Sequence, residues 1–209
     1  MRKTLTILAA ALFSIAMQPA MAQNTSMSFF ITSVGSGDGA NLGGLTGADA
    51  HCQSLADTAG QGSKTWHAYL STTTVNAKDR IGSGPWYNAK GVKVAENVAD
   101  LHSSNNELNL DNSLSEKGMK NNGRSDTPNQ HDMLTGTQLD GTHFAAGEDH
   151  TCGDWTKNGE GSAQVGHHDR TGGGANPTAW HSAHGSRGCS QANLVATGGN
   201  GHYYCFATN

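Results

Sequence analysis

His202-Tyr203-Tyr204-Cys205-Phe206-Ala207 closes the chain with an aromatic-rich run that predicts a strand, and that strand carries a cysteine. At the other end, Ser28-Phe29-Phe30-Ile31-Thr32-Ser33-Val34 is rich in aromatic and β-branched residues and predicts an opening strand. Between them lies the clearest helical pattern of the sequence. Ala48, Cys52, Leu55 and Ala59 recur at helical spacing, Thr46 is the expected N-cap with Asp49 in a capping-box position, and Gly60 is the expected stop. Cys52 falls on the face that this spacing buries.

The remaining elements are short. Trp66-His67-Ala68-Tyr69-Leu70 alternates like a strand, and Ala77-Lys78-Asp79-Arg80-Ile81 predicts a helical turn. Trp86-Tyr87, a turn at residues 88–91 and Val92-Lys93-Val94-Ala95 predict a small hairpin. Residues 103–130 hold only Leu108, Leu110, Leu114 and Met119 as apolar side chains, and a stretch of that length without elements is usually functional or disordered. Further on, Cys152-Gly153-Asp154-Trp155, residues 163–165 and residues 180–183 predict short strands between glycine-rich loops.

Composition narrows the class. The 209 residues are 35% hydrophobic and 14% charged, with 28 Gly, 11 His and a formal net charge of −4. No basic excess exists to neutralise phosphates, so nucleic-acid binding is not expected. Residues 1–22 read as a signal peptide: a basic start at Arg2 and Lys3, an apolar stretch from Leu5 to Met17, and the small-x-small pattern Ala20-Met21-Ala22. Outside it no apolar run reaches the roughly 20 residues that a membrane span needs. Residues 23–209 are then one exported domain, periplasmic or secreted. Export makes Cys52, Cys152, Cys189 and Cys205 disulfide partners rather than reactive thiols, with three pairings open. A four-cysteine zinc site would want two closely spaced pairs, which this spacing lacks. Crosslinks suit a chain with so thin an aliphatic core.

The order of these features resembles the C-type lectin-like fold, including its endostatin-type branch. In that fold an early helix carries a cysteine that bridges to the last strand, with a second bridge nested inside. The resemblance implies Cys52–Cys205 and Cys152–Cys189, within a loop-rich α+β domain of antiparallel strands and one or two helices. Thr127-Pro128-Asn129, Gly147-Glu148-Asp149 ahead of Cys152, and Trp180-His181-Ser182 ahead of Cys189 stand where calcium-dependent lectins carry their sugar-site motifs. Asn41-Leu42-Gly43-Gly44-Leu45 leading to Cys52 is similar to exported bacterial lectin-like domains of unknown function. Thr127 and His181-Ser182 replace oxygen ligands of the calcium motif, so calcium is not the expected cofactor. The implied binding residues are Asn129, Glu148, Asp149, Trp180 and His181, with a glycan or cell-surface protein as partner.

The histidines point to other chemistry. His167-His168-Asp169 and His181-x-x-His184 are the sharpest clusters, joined loosely by His131-Asp132 and His150. Imidazole with carboxylate suits zinc. His167, His168, Asp169, His181 and His184 are therefore the candidate metal ligands, and an exported zinc-binding protein is the alternative function. The plain competitor is that these side chains hydrogen-bond loop backbone. Were residues 180–184 extended, His181 and His184 would face opposite sides. No catalytic residues are assigned, because nucleophile-elbow, zinc-protease and phosphate-loop patterns are absent, although a hydrolase remains a third reading.

Overall fold

The computed structural model describes residues 26–208, and the expected signal peptide lies outside them. The closing run is the backbone of the sheet. Strand β8 (Gly199–Ala207) is flanked along its second half by β1 (Phe29–Ile31) and β2 (Trp66–Ala68), both antiparallel. Its first half pairs with β5 (Asp132–Leu134), which continues the sheet through β6 (Gln164–His167) to β7 (His184–Gly185). The β5–β8 pairing is parallel, so the expectation of a wholly antiparallel sheet is corrected. A crossover of more than 60 residues between the two strands makes that geometry available.

Both faces of the second half of β8 are covered, which is why residues 203–207 run apolar without alternation. Tyr203, Cys205 and Ala207 pack with Ala48, Cys52 and Ala56 of α1 (Gly44–Thr58). Tyr204 and Phe206 point the other way, into a second cluster with Phe29, Ile81, Trp86, Leu101 and Trp180. All four tryptophans are buried there or in the first cluster, and they replace the missing aliphatic volume.

Helix α1 begins earlier than the sequence implies. Its N-cap is Gly43, with φ 74°, and no side chain caps it; Thr46 lies inside the helix. Asp49 has other work, accepting the Ala68 N–H at 2.9 Å and pairing with Arg80 at 2.6 Å. Gly60, at φ 71°, follows the C-cap as expected. The hairpin forms as β3 (Trp86–Tyr87) and β4 (Lys93–Ala95), and residues 77–79 form a 3₁₀ turn. Three further helical segments appear: α2 (Val98–Leu101), α3 (Cys152–Trp155) and α4 (Gln191–Thr197). The expected strand at residues 152–155 is thus corrected to a turn, in which Cys152, Asp154 and Trp155 all adopt positive φ. Residues 180–183 form no strand either; pairing begins only at His184.

Residues 103–130 contain no helix or strand, as expected, yet they are built into the fold. Leu108 and Leu114 are buried. The Asn106 side chain donates to the Leu101 and Ser103 carbonyls and accepts the Leu108 N–H. Asn109 accepts from the Asp111 and Asn112 N–H groups. Asparagine amides here do what ladder hydrogen bonds do elsewhere. The disulfides are Cys52–Cys205, tying α1 to β8, and Cys152–Cys189, tying α3 to the turn before α4. Among the described residues no helix is long and apolar enough to cross a membrane.

Candidate metal centre

Strand register assembles the site. Asp132 stands opposite His167 across the β5–β6 pair, and Val165 stands opposite His184 across β6–β7. Val165 and His167 are two residues apart, so they share a face, and Asp132, His167 and His184 therefore share it too. His131 immediately precedes β5, where the β5–β8 pairing is irregular, and its ring folds onto the same spot.

The ligand atoms converge closely. One donor atom each from His131, Asp132 and His167 lie within 4.8 Å of one another. Asp132 Oδ1 is 3.1 Å from His131 Nε2, 3.4 Å from His167 Nε2 and 3.7 Å from His184 Nε2. His167 and His184 bring their Nε2 atoms to 3.0 Å. Four ligands about 2.0–2.1 Å from a tetrahedral ion sit roughly 3.3–3.4 Å apart; these four of the six separations bracket that edge, while His184 lies outside the group of three whose donor atoms all fall within 4.8 Å. The His131 ring lies 13° from parallel to that of His167 at 4.4 Å between centroids. Their in-plane lone pairs meet at one point only after one ring turns.

The far side of each ring is already committed. His131 Nδ1 donates to Asp169 Oδ1 at 3.2 Å, His167 Nδ1 to the Pro177 carbonyl at 2.8 Å, and His184 Nδ1 to the Gly185 carbonyl at 3.1 Å. Each acceptor fixes the tautomer with the proton on Nδ1 and leaves the Nε2 lone pair facing inward. Both oxygens of Asp132 are buried and accept no hydrogen bond, although three ring nitrogens surround one of them. Acceptors thus face acceptors, an arrangement that a proton or a cation must reconcile.

The electrostatics follow from burial. Burial pushes the Asp132 carboxyl up to about 6, against the neighbouring His131 and His184, which favour its charge. It pushes His167 down to about 4. Asp169 behaves oppositely: burial works to raise it, but hydrogen bonds from His131 and from the Arg124 and Thr171 N–H groups hold it well below the usual carboxylate range. Two glycines make the space. A Cβ on Gly172 would sit 2.1 Å from His167 Cε1, and one on Gly198 would sit 3.2 Å from both Asp132 Oδ2 and His131 Nε2.

No family model and no curated protein matches the chain. The residues themselves carry the reading.

Of the metal ligands expected from sequence, His167 and His184 come together. Asp169 supports His131 instead of facing the centre. His168 turns away, its Nε2 against the Asn122 carbonyl. His181 lies against the Leu139 carbonyl at 2.8 Å, between Tyr69, His102 and Trp180. The two histidines of the 181–184 pair do diverge. His131 and Asp132, adjacent in sequence and only loosely joined to the other histidine clusters there, complete the candidate set.

The expected ligand-binding residues do not form one surface. The Asn129 side-chain oxygen Oδ1 accepts the His131 backbone N–H, beside the centre. Glu148 and Asp149 line a separate cleft of about 240 Å³ with Thr73, Phe144 and Lys157. Asp149 is used structurally, accepting the Thr151 and Gly153 N–H groups. Trp180 is 2% exposed, and its indole N–H donates to the Leu101 carbonyl, so its face is not free for stacking on a sugar.

Proposed function

We propose that this is an exported zinc-binding protein in which His131, Asp132, His167 and His184 hold one ion. The observation that carries the proposal is the buried Asp132 carboxylate, unbonded and ringed by imidazoles whose outer nitrogens are all committed. A closed set of three imidazoles and a carboxylate is the donor chemistry of zinc and its neighbours rather than of calcium. Four protein ligands leave no open position, so the ion acts structurally, clasping β5, β6 and β7 at their shared end. The proposed fold is C-type lectin-like, on the helix-to-last-strand disulfide, the nested inner disulfide and the long loop-rich middle.

The test is elemental analysis of the mature protein purified without a metal-affinity tag, followed by zinc titration against a chromophoric chelator. The expected result is about one zinc per chain, lost in Asp132→Asn and in His184→Ala while circular dichroism stays folded. Stoichiometry well below one after zinc loading, or full binding retained in both variants, overturns the proposal.

A further inference from the structure

Away from the imidazole cluster, a cleft of about 480 Å³ opens between residues 102–104 and the 175–181 loop. Arg170 lines it and is the single formally charged residue among those that do. Its backbone takes φ 57°, outside the usual range for a side chain of this size, immediately after Asp169. That turn carries the guanidinium away from Asp169 to Asn106, where Nη1 donates to the side-chain oxygen at 2.9 Å. Among the described residues no carboxylate forms an ion pair with Arg170, in a chain whose net charge is −4. The half-buried guanidinium is held by neutral acceptors alone, Asn106 Oδ1 and, at 3.5 Å, the Leu108 carbonyl, and its fork geometry matches a carboxylate.

The rest of the wall has complementary chemistry. Ser104 and Thr178 offer hydroxyl groups and Asn176 its side-chain oxygen, while Pro177 and the exposed Leu139 offer apolar surface. The Ser103 hydroxyl is engaged with the Asp100 carbonyl and the Asn105 N–H, and the Asn176 amide donates to the Ser182 carbonyl. His102 contributes no free donor, because Nδ1 faces the Val98 carbonyl and Nε2 faces the Tyr69 hydroxyl. A guanidinium, several hydroxyl partners and an apolar edge in one concavity define a ligand class. We infer that this cleft binds a small polyhydroxylated carboxylate, the chemistry of a sugar acid. None of the four proposed metal ligands lines this cleft, which adjoins their site through Pro177 and Ala179, whose carbonyls accept the His167 Nδ1–H and backbone N–H, and through Arg170, whose backbone N–H donates to the His167 carbonyl.

The experiment is a titration of the zinc-loaded mature protein with glucuronate, with glucose and acetate as controls, followed by the NMR signal of the Trp180 indole N–H. The expected result is a saturable shift with glucuronate alone, weakened about tenfold or more by Arg170→Gln. Arg170→Gln also alters the bond to Asn106, so Ser104→Asp serves as a second variant. It places a competing carboxylate at an exposed position on the same wall, and it is expected to weaken binding with the thermal midpoint unchanged. No saturable shift with glucuronate into the tens of millimolar overturns the inference. So does an affinity unchanged in both variants, or an equal response to acetate or glucose.

Discussion

Asp132 is the residue whose chemistry the fold leaves incomplete. A buried carboxylate without a hydrogen bond costs stability until a cation arrives, so Asp132→Asn has opposite effects in the two states. In zinc-free protein the variant is expected to be more stable, by about 1–3 kcal/mol in urea unfolding, and in excess zinc less stable than wild type. The same sign in both conditions contradicts the assignment. Asp169 touches no ion in this arrangement but orients His131; Asp169→Asn is expected to weaken zinc about 10–100-fold without lowering the stoichiometry. Two histidines away from the centre set the acid response. Burial lowers His181 to about 3 and His202 to about 4, and neither has a partner for its second ring nitrogen. In the unfolded chain both titrate near 6.5, so their contribution is complete above that pH and is lost as pH falls through about 4 and then 3. Asp132 works the other way between 3.8 and about 6, and His167 adds to the two histidines. The urea midpoint of zinc-free protein is therefore expected to fall between pH 7 and pH 4; a constant midpoint counts against neutral, buried imidazoles.

At the scale of elements, the parts with local signals were legible and those set by pairing were not. The helix around Cys52, the 86–95 hairpin and the closing strand announce themselves by spacing and composition. The turn at residues 152–155 does not, because its positive-φ residues are held by a disulfide to Cys189, 37 residues away, and by a local Asp149 bond to the Gly153 N–H that no composition or spacing rule announces. The same limit applies to the metal centre. His167 and His184 stood out as members of local clusters. Asp132 joins them only through the register that sets it opposite His167, and no spacing rule encodes a register. His181 illustrates the converse: it sits three residues from a ligand, yet the bend before β7 sends it into the aromatic cluster. Because His167 and His184 bound the 168–183 segment, zinc is expected to clasp its base. Amide exchange within residues 168–183 should slow by about tenfold or more on zinc loading, while α1 is unaffected. Protection spread evenly over the whole chain, or none at all, would argue against a local clasp.

For the whole molecule, the question raised by the composition was how a chain with 28 glycines and 35% hydrophobic residues holds one structure. The described residues answer it with buried Trp and Tyr on both faces of β8, asparagine-bonded loops, and two crosslinks. Cys52–Cys205 closes a 153-residue separation and Cys152–Cys189 one of 37. Chain-entropy arguments assign them about 5 and about 4 kcal/mol as upper figures. Replacing Cys52 and Cys205 together by Ala is expected to lower the thermal midpoint by well over 10 °C, more than the inner pair. Pairing order was legible through the lectin-like resemblance, whereas the metal centre was not part of it. Zinc at Asp132 is tested by anomalous diffraction at the zinc absorption edge, from crystals of the zinc-loaded mature protein. One peak about 2.0–2.2 Å from Asp132 and from the Nε2 atoms of His131, His167 and His184 is the predicted result. Zinc found only at surface histidines, with the imidazoles around Asp132 left without a peak, would contradict it.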